Sequence, residues 1–315
     1  MTIDVVIVTY NRLDKLKKAL DSYECQTRPF RNLIVVNNHS TDGTFEYLEF
    51  WKGQEAPFSK IVISSRENLG GSGGYYLGQK KAMELNADWI FLADDDAYAE
   101  PDLIERFLEY VENNDTSLVS AICGTVYHSD GTIDYNHRSR WVSNGRRFVY
   151  RKPSVPDDYR KDSFEIDILS YVGSFINGKA MAKVGTVDAS FFIFWDDSEH
   201  SLRLKKFGKI ICVPSIRIMH DDIIVKNQDR RRAKPVIVSW KDYYLERNEV
   251  VLFKRHFPWA AVHQLRIALT NWVKGEYRKD PYAVVKWDAF KDAWLGRMGK
   301  HRIYKPGWEI TSEKQ

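Results

Sequence analysis

The sequence predicts an α/β protein on a mostly parallel sheet, and three observations carry that prediction. Short β-branched runs alternate with segments of helical period at a repeat of about 30 residues, which is the spacing of strand–helix–strand crossovers. Each of the early runs stops in a polar or acidic cluster. Ligands on such sheets bind at the carboxyl ends of the strands, so one pattern predicts both the fold and the place of a site. The length agrees: 315 residues with 43% hydrophobic and 29% charged side chains make a folded chain of one large domain, or one domain with an extension.

The elements follow in order. Residues 3–8 are a β-branched run bounded by Thr9, Tyr10 and Asn11, a buried strand. Leu13, Leu16, Ala19, Leu20 and Tyr23 then recur at helical spacing. Residues 33–36 form the second strand and run into the polar segment 37–43. A helix over 44–51 and a third strand over 60–64 come next. Gly70 to Gly74 reads as a glycine-rich loop feeding a helix that ends near Asn86. Residues 89–93 are the fourth strand, stopped by Asp94, Asp95 and Asp96.

Further strands are expected over 117–126, 166–172, 191–195, 210–213 and 216–220, with helices over 177–184 and 198–207. The stretch 128–165 reads as an irregular insertion or hairpin. From Val238 the pattern is helical to about Lys300. The boundaries are therefore 1–237 for the α/β domain, divided at 116/117, and 238–315 for a helical C-terminal region.

Composition excludes several classes. Three cysteines, Cys25, Cys123 and Cys212, lack paired spacing; they form neither a disulfide framework nor a cysteine zinc site, and they point to a reducing compartment. The N-terminus opens directly into a strand, with no secretory signal pattern. No apolar run nears the ~18 residues of a spanning helix, so the chain is not expected to be an integral membrane protein. Net charge is +4, but residues 251–315 hold 13 Lys+Arg against 6 Asp+Glu and five of the ten tryptophans. A basic, Trp-rich end on a slightly acidic body suits an anionic surface.

Four clusters bear chemistry. Asp94, Asp95 and Asp96 repel one another after an apolar strand, which a Mg2+ or Mn2+ ion would relieve. A helix N-terminus before Asp102 would tolerate the same acids, and the residues alone leave both readings open. The glycines at 70–74 would let backbone N–H groups approach a phosphate, or simply make a turn. No Gly-Lys-Ser/Thr follows, so this is not a P-loop. Asp196, Asp197, Glu199 and His200 form a second acidic cluster, either one base with a positioning group or an acidic first helical turn. His220 is a lone histidine at a strand's end, structural by itself and interesting beside the triple aspartate.

Together, residues 1 to about 250 resemble family-2 glycosyltransferases with the GT-A nucleotide-sugar-binding fold. The residues that carry the resemblance are Val8-Thr-Tyr-Asn-Arg12, the segment Val35 to Gly43, Asn68-Leu-Gly-Gly-Ser-Gly-Gly74, Asp94-Asp-Asp96 and Trp195-Asp-Asp-Ser-Glu199. The pattern is most similar to bacterial galactofuranosyltransferases and polysaccharide rhamnosyltransferases. The resemblance implies a metal-dependent, inverting transfer from a nucleotide sugar, UDP-galactofuranose first and dTDP-rhamnose second. The acceptor would be a growing, lipid-linked cell-surface polysaccharide.

By position it implies Thr9, Asn11, Arg12, Asn38, Asn68, Gly70, Gly71, Asp94 and Asp95 on the donor. It places Asp96, His220 and Asp94 on Mn2+ or Mg2+, Asp197 as catalytic base with Asp196 beside it, and Trp195, Glu199 and Gly173 on the acceptor. Asn37-Asn38 stands where many relatives carry Asp, so a carboxylate contact to the base becomes an amide contact. Tyr243 to Asn248 resembles a Tyr-Tyr…Arg-Asn segment that follows the catalytic domain in such enzymes. Beyond it, Trp272, Trp287 and Trp294 among Lys274, Lys286, Lys291 and Lys300 suit either peripheral binding at the inner face of the cell membrane or helix packing and a homo-oligomer interface. A cytoplasmic enzyme is expected. A sugar nucleotidyltransferase would want a glycine-rich basic loop at residues 9–12, which hold Thr-Tyr-Asn-Arg. A lectin-like or nucleic-acid-binding protein would leave both acidic clusters unexplained, and no nucleic-acid partner is expected.

Overall fold

The computed structural model describes residues 1–221, 236–278 and 280–312. The chain forms two compact units: residues 1–141, 151–188 and 197–221 make the first, and residues 142–150, 189–196 and the described residues from 236 onward make the second. Contacts thus gather into the C-terminal unit two segments that the sequence places inside 1–237.

The first unit follows the expected alternation. Strands β1 (Ile3–Thr9), β2 (Asn32–Asn37), β3 (Ser59–Ser64) and β4 (Trp89–Asp94) alternate with helices α1 (Leu13–Glu24), α2 (Thr44–Lys52) and α3 (Gly70–Glu84). Then come β5 (Ala97–Ala99), α4 (Leu103–Asn113), β6 (Val119–His128), and β7 (Arg138–Asn144) and β8 (Phe148–Pro153), whose residues 142–144 and 148–150 belong to the second unit. The unit closes with β9 (Phe164–Ile166), β10 (Ile168–Leu169), β11 (Ser174–Asn177), α5 (Gly178–Val184), α6 (Asp196–Leu204) and β12 (Lys209–His220). The sheet order is β3-β2-β1-β4-β11-β6-β12-β5, with β9 beside β12. Strands β1 to β4 pair in parallel, and β11 runs antiparallel between β4 and β6.

Both faces of this sheet are covered. Val5 and Ile7 point to the side packed by α1, α2 and α4, whereas Val6 and Val8 point to the side packed by α3 and α5. Alternation along one strand therefore feeds two cores, which explains why β1 reads as a continuous apolar run. Asp4 is fully buried within it and is neutralised by Arg31 at 2.7 Å and hydrogen-bonded by Asn32.

Three expectations are corrected. The glycine segment is helix, not loop: α3 begins at Gly70. A Cβ at Gly74 would stand 2.4 Å from Val8 Cγ1, and one at Gly78 would stand 2.2 Å from Val6 Cγ1. These glycines bring the helix down onto β1, which offsets their low helix propensity. Gly74→Ala should destabilise the protein by about 1–3 kcal/mol through overpacking, read as a lower urea midpoint at unchanged m.

The second correction concerns residues 210–220, where the two expected strands are one, β12, with a register shift between Cys212 and Arg217. Within 166–172 the single expected strand divides into β9 and β10, and the central strand β11 starts only at Ser174. The third correction is the run 191–195, which is no strand. Phe192, Phe194 and Trp195 take φ of 69°, 65° and 65°, and a 3-10 turn precedes them at Ala189–Phe191. Non-glycine residues pay a steric cost in that region, so something must hold them there.

The second unit supplies that hold. It contains β13 (Val236–Ser239), α7 (Trp240–His256), α8 (Pro258–Val273), α9 (Pro281–Trp294) and β14 (Glu309–Ser312), with β13 and β14 antiparallel. The Arg247 guanidinium, fully buried on α7, donates to the carbonyls of Phe191 at 2.9 Å and Gly299 at 2.6 Å. Asn248 Nδ2 reaches the carbonyls of Phe191, Ile193 and Phe194 at 2.8–3.0 Å. Trp195 Nε1 donates to Leu245 O at 3.0 Å. The Tyr-Tyr…Arg-Asn segment is thus a clamp on residues 190–195. Among the described residues no helix is long and apolar enough to cross a membrane.

Candidate active site

The site forms where β1, β4 and β12 end. Val8 pairs with Asp94 across β1 and β4, while His220 pairs with Ala97 across β12 and β5. Asp221 N donates to Asp96 O at 2.8 Å, so the turn at 94–96 is pinned between two strand ends.

The three aspartates have separate surroundings. Asp95 is buried; its carboxylate accepts Thr9 Oγ1 at 2.7 Å and Arg12 Nη1 at 3.3 Å. Burial pushes its carboxyl up to about 7, opposed by the Thr9 hydrogen bond and the Arg12 charge. Asp94 accepts a short hydrogen bond from the Tyr75 hydroxyl, and burial followed by repulsion from Asp96 raises its carboxyl. Asp96 Oδ2 meets Arg12 Nη1 at 2.7 Å and Lys15 Nζ at 3.4 Å. Burial works against its ionisation, yet the hydrogen bond and charge of His220, with Arg12 and Lys15, hold it below the ordinary carboxylate range.

The residues present fit a divalent cation. Asp94, Asp96 and His220 each offer a ligand atom, all within 4.8 Å of one another. Asp96 Oδ1 stands 3.2 Å from His220 Nε2. Two carboxylate oxygens and one imidazole nitrogen suit Mn2+ or Mg2+. Behind His220 the His137 ring stands edge-on at 5.3 Å, fixed by Ser170 Oγ at 2.6 Å and Asp134 at 3.4 Å. Burial pulls the His137 imidazole down to about 4, so it is neutral.

A second group lies at the ends of β2 and β3. The Asn38 amide is buried and internally bonded: Nδ2 donates to Gly70 O at 2.9 Å and Asn68 Oδ1 at 3.2 Å, and Oδ1 accepts Leu69 N at 2.9 Å. Asn11 Oδ1 accepts Thr41 N at 2.7 Å. Thr9, Asn38 and Asp95, expected on a donor, therefore spend their polar atoms within the protein and position loops. Arg12 remains half exposed, and a Cβ at Gly71 would meet nothing within 4 Å, so both sit open to a ligand.

The second acidic cluster divides. Asp197, at the start of α6, accepts Ser198 Oγ at 3.0 Å; burial raises its carboxyl, and the charges of Arg151 and Arg138 oppose that. Its helix connects to the aspartate turn through rings. Tyr75, bonded to Asp94, packs on Tyr171 at 4.6 Å, and the Tyr171 hydroxyl lies 2.9 Å from His200 Nδ1 on α6. Burial pulls His200 down to about 3, and its Nε2 is 3.1 Å from Gly185 O.

Glu199, expected to meet an acceptor, is instead buried against Arg203 at 2.9 Å, which also holds the carbonyls of residues 184–186. Gly173 is a packing position: at φ 72° a Cβ would lie 2.6 Å from Ile218 Cγ2, and its carbonyl takes Arg138 Nη2 at 3.0 Å. Asp196 is buried and falls, with Trp195, in the second unit. Lys15, Tyr75, His137 and Tyr171 escape sequence reasoning. Only Lys15 left a signal there, a basic residue in the first turn of α1, three residues beyond Arg12 at its N-cap.

Residues 4–180 match the Glycosyl transferase family 2 domain. The chain belongs to that family. It is 32% identical over 210 residues to the galactofuranosyltransferase GlfT1 of Mycobacterium tuberculosis, covering 64% of each chain. It is 25% identical over 292 residues to the dTDP-rhamnosyl transferase RfbF of Shigella flexneri, covering 87% of this chain and 90% of that protein. Similar solved structures include GalNAc-T7 with UDP, GalNAc and Mn2+, at TM-score 0.59 and 15% identity over 94% of this chain and 56% of that one. Residues 1–349 of S. aureus TarS with UDP-GlcNAc superpose at TM-score 0.56 and 15% identity, over 93% and 81%. At that identity the likeness speaks for the fold alone, which is of the GT-A type. This chain is a family-2 glycosyltransferase, which sets aside the nucleotidyltransferase and non-enzymatic readings. It spans 64% of the length of the galactofuranosyltransferase relative.

Proposed function

We propose that this transferase moves a sugar from a nucleotide-sugar donor, UDP-galactofuranose in the favoured form, to a lipid-linked bacterial cell-surface polysaccharide, with inversion at the anomeric carbon. The observation that carries the reading is the convergence of Asp94, Asp96 and His220 where β4 and β12 end. The name of the GlfT1 relative favours galactofuranose, and that of RfbF makes dTDP-rhamnose the alternative. The 1–237 and 238–315 division serves as catalytic domain and C-terminal extension. The acceptor's lipid would hold the enzyme at the inner, cytoplasmic face of the membrane.

When bound, Mn2+ or Mg2+ held by Asp94, Asp96 and His220 would neutralise negative charge on the donor diphosphate. The other parts of the step belong to this chain's residues. Gly71 leaves backbone room for the donor in the first turn of α3, which begins at Gly70 and where N–H dipoles favour an anion. Arg12 and Lys15 add positive charge beside it. Asp197 accepts the proton of an acceptor hydroxyl as that oxygen attacks the anomeric carbon from the face opposite the nucleotide. The departing diphosphate needs no proton, so a single base suffices.

Calorimetric titration of UDP and of dTDP, each with Mn2+ and with EDTA, tests this reading. UDP binding should require Mn2+ and weaken at least ~10-fold in Asp96→Asn, which removes one charged ligand. Preference for dTDP would move the donor to rhamnose. Binding of neither nucleotide under any metal would overturn the site.

A further inference from the structure

The second unit carries an exposed surface that the transfer reaction does not use. Helix α8 packs inward through Ala260, Ala261, Leu265 and Ala268. At 100° per residue the opposite face holds Trp259, Val262, Leu269 and Val273, which are exposed; Trp259 is 60% and Val273 77% accessible. A soluble surface helix would be polar there. Arg266 lies within this stripe, with His263 and Lys274 on its flank. From residue 250 to residue 275 the chain contains no Asp or Glu.

A distant segment extends the same surface. The turn between β7 and β8 presents exposed Arg146, Arg147, Phe148 and Tyr150, and the Phe148 ring stands 5.0 Å from that of His263 on α8. No acid occurs in residues 142–150 either. Two pieces of chain more than a hundred residues apart thus converge on one composition: exposed aromatic and aliphatic side chains among cations, without carboxylates. The tryptophans of the tail divide accordingly. Trp287 and Trp294 are packed inside the unit and Trp272 stacks on Trp287 at 6.3 Å, whereas Trp259 is left outward.

We infer that α8 and the β7–β8 turn form a membrane-contact surface that inserts Trp259, Val262, Leu269 and Val273 at the level of the headgroups of an anionic bilayer, with Arg146, Arg147, Arg266 and Lys274 on lipid phosphates. An amphipathic helix of this kind lies in the interface plane rather than crossing it. The commitment to a lipid surface rather than a protein follows from charge: a complementary protein would need a long acidic-apolar strip, while an anionic bilayer offers both features everywhere. The inference sharpens the membrane clause of the proposed function and rests on it only for the acceptor.

The test is sedimentation of the full chain with phosphatidylcholine vesicles and with vesicles containing phosphatidylglycerol. Binding to the anionic vesicles is expected, falling with salt. Leu269→Ser/Val273→Ser should weaken it at least ~10-fold and Arg146→Ala/Arg147→Ala about 25-fold. Both variants alter exposed side chains, so Mn2+-dependent UDP binding should stay at the parent value, separating this inference from the donor site. Absence of binding to either vesicle, or binding unaffected by both variants, would overturn it. So would a concentration-dependent dimer that the α8 variant abolishes without any vesicle binding, since the face would then be a contact between copies.

Discussion

Asn248→Ala is expected to cost about 3 kcal/mol of stability and to lower kcat more than ~10-fold, while Mn2+-dependent UDP affinity stays within about threefold. The Asn248 amide hydrogens are shared among the carbonyls of Phe191, Ile193 and Phe194. Removing them takes this donor from the partly buried carbonyls of Ile193 and Phe194 and leaves the Phe191 carbonyl to Arg247, next to three residues held at positive φ. That stretch leads directly into Asp196 and Asp197, so its relaxation displaces the proposed base rather than the donor contacts on β4 and β12. The split between kcat and donor affinity is what distinguishes positioning from general unfolding. Asn248→Ser, which retains one short donor, should recover part of the stability. Equal loss of kcat and UDP affinity in both variants would reduce the clamp to a folding role.

The same clamp shows where sequence reasoning stops. The sheet was legible because burial on two faces writes a continuous apolar run, as in β1 and β4, and because polar residues cluster where such strands end. The run Phe191 to Trp195 has the same composition and reads as a strand, yet α7 supplies side-chain donors in place of a neighbouring strand. That information lies more than fifty residues away. Gly70 to Gly74 failed similarly, since a glycine run signals a turn locally and only the proximity of Val8 makes it a helix face. Asp94 to Asp96 and His220 stand out in the sequence by chemical type and place, and Asp94, Asp96 and His220 converge in the structure. Tyr75, Tyr171 and His137 were missed because an aromatic side chain at a core position reads as packing until its hydroxyl or ring nitrogen is given a partner. Glu199 went the other way: it reads as part of an acidic site, and Arg203 one helical turn on converts it to an internal ion pair.

Asp197→Asn should reduce transfer by about 10²–10⁴-fold, the usual contribution of a positioned general base, with UDP affinity changed no more than a few-fold. The substitution keeps the size and the hydrogen bond from Ser198 while removing the basic oxygen. The pH profile carries a sign of its own. Burial raises the Asp197 carboxyl above the ordinary carboxylate value, Arg151 and Arg138 notwithstanding. The base form is then lost as pH falls through that raised value, so the acid limb of kcat should lie above the pH at which an exposed aspartate titrates. Arg151→Gln removes the largest opposing charge and should move that limb further upward. The shift is diagnostic because a structural carboxylate would change stability with pH without moving the rate profile of the folded enzyme. An acid limb that stays in place in Arg151→Gln, together with residual transfer in Asp197→Asn near the parent rate, would remove Asp197 as the base and direct attention to Asp196, its neighbour at the start of α6.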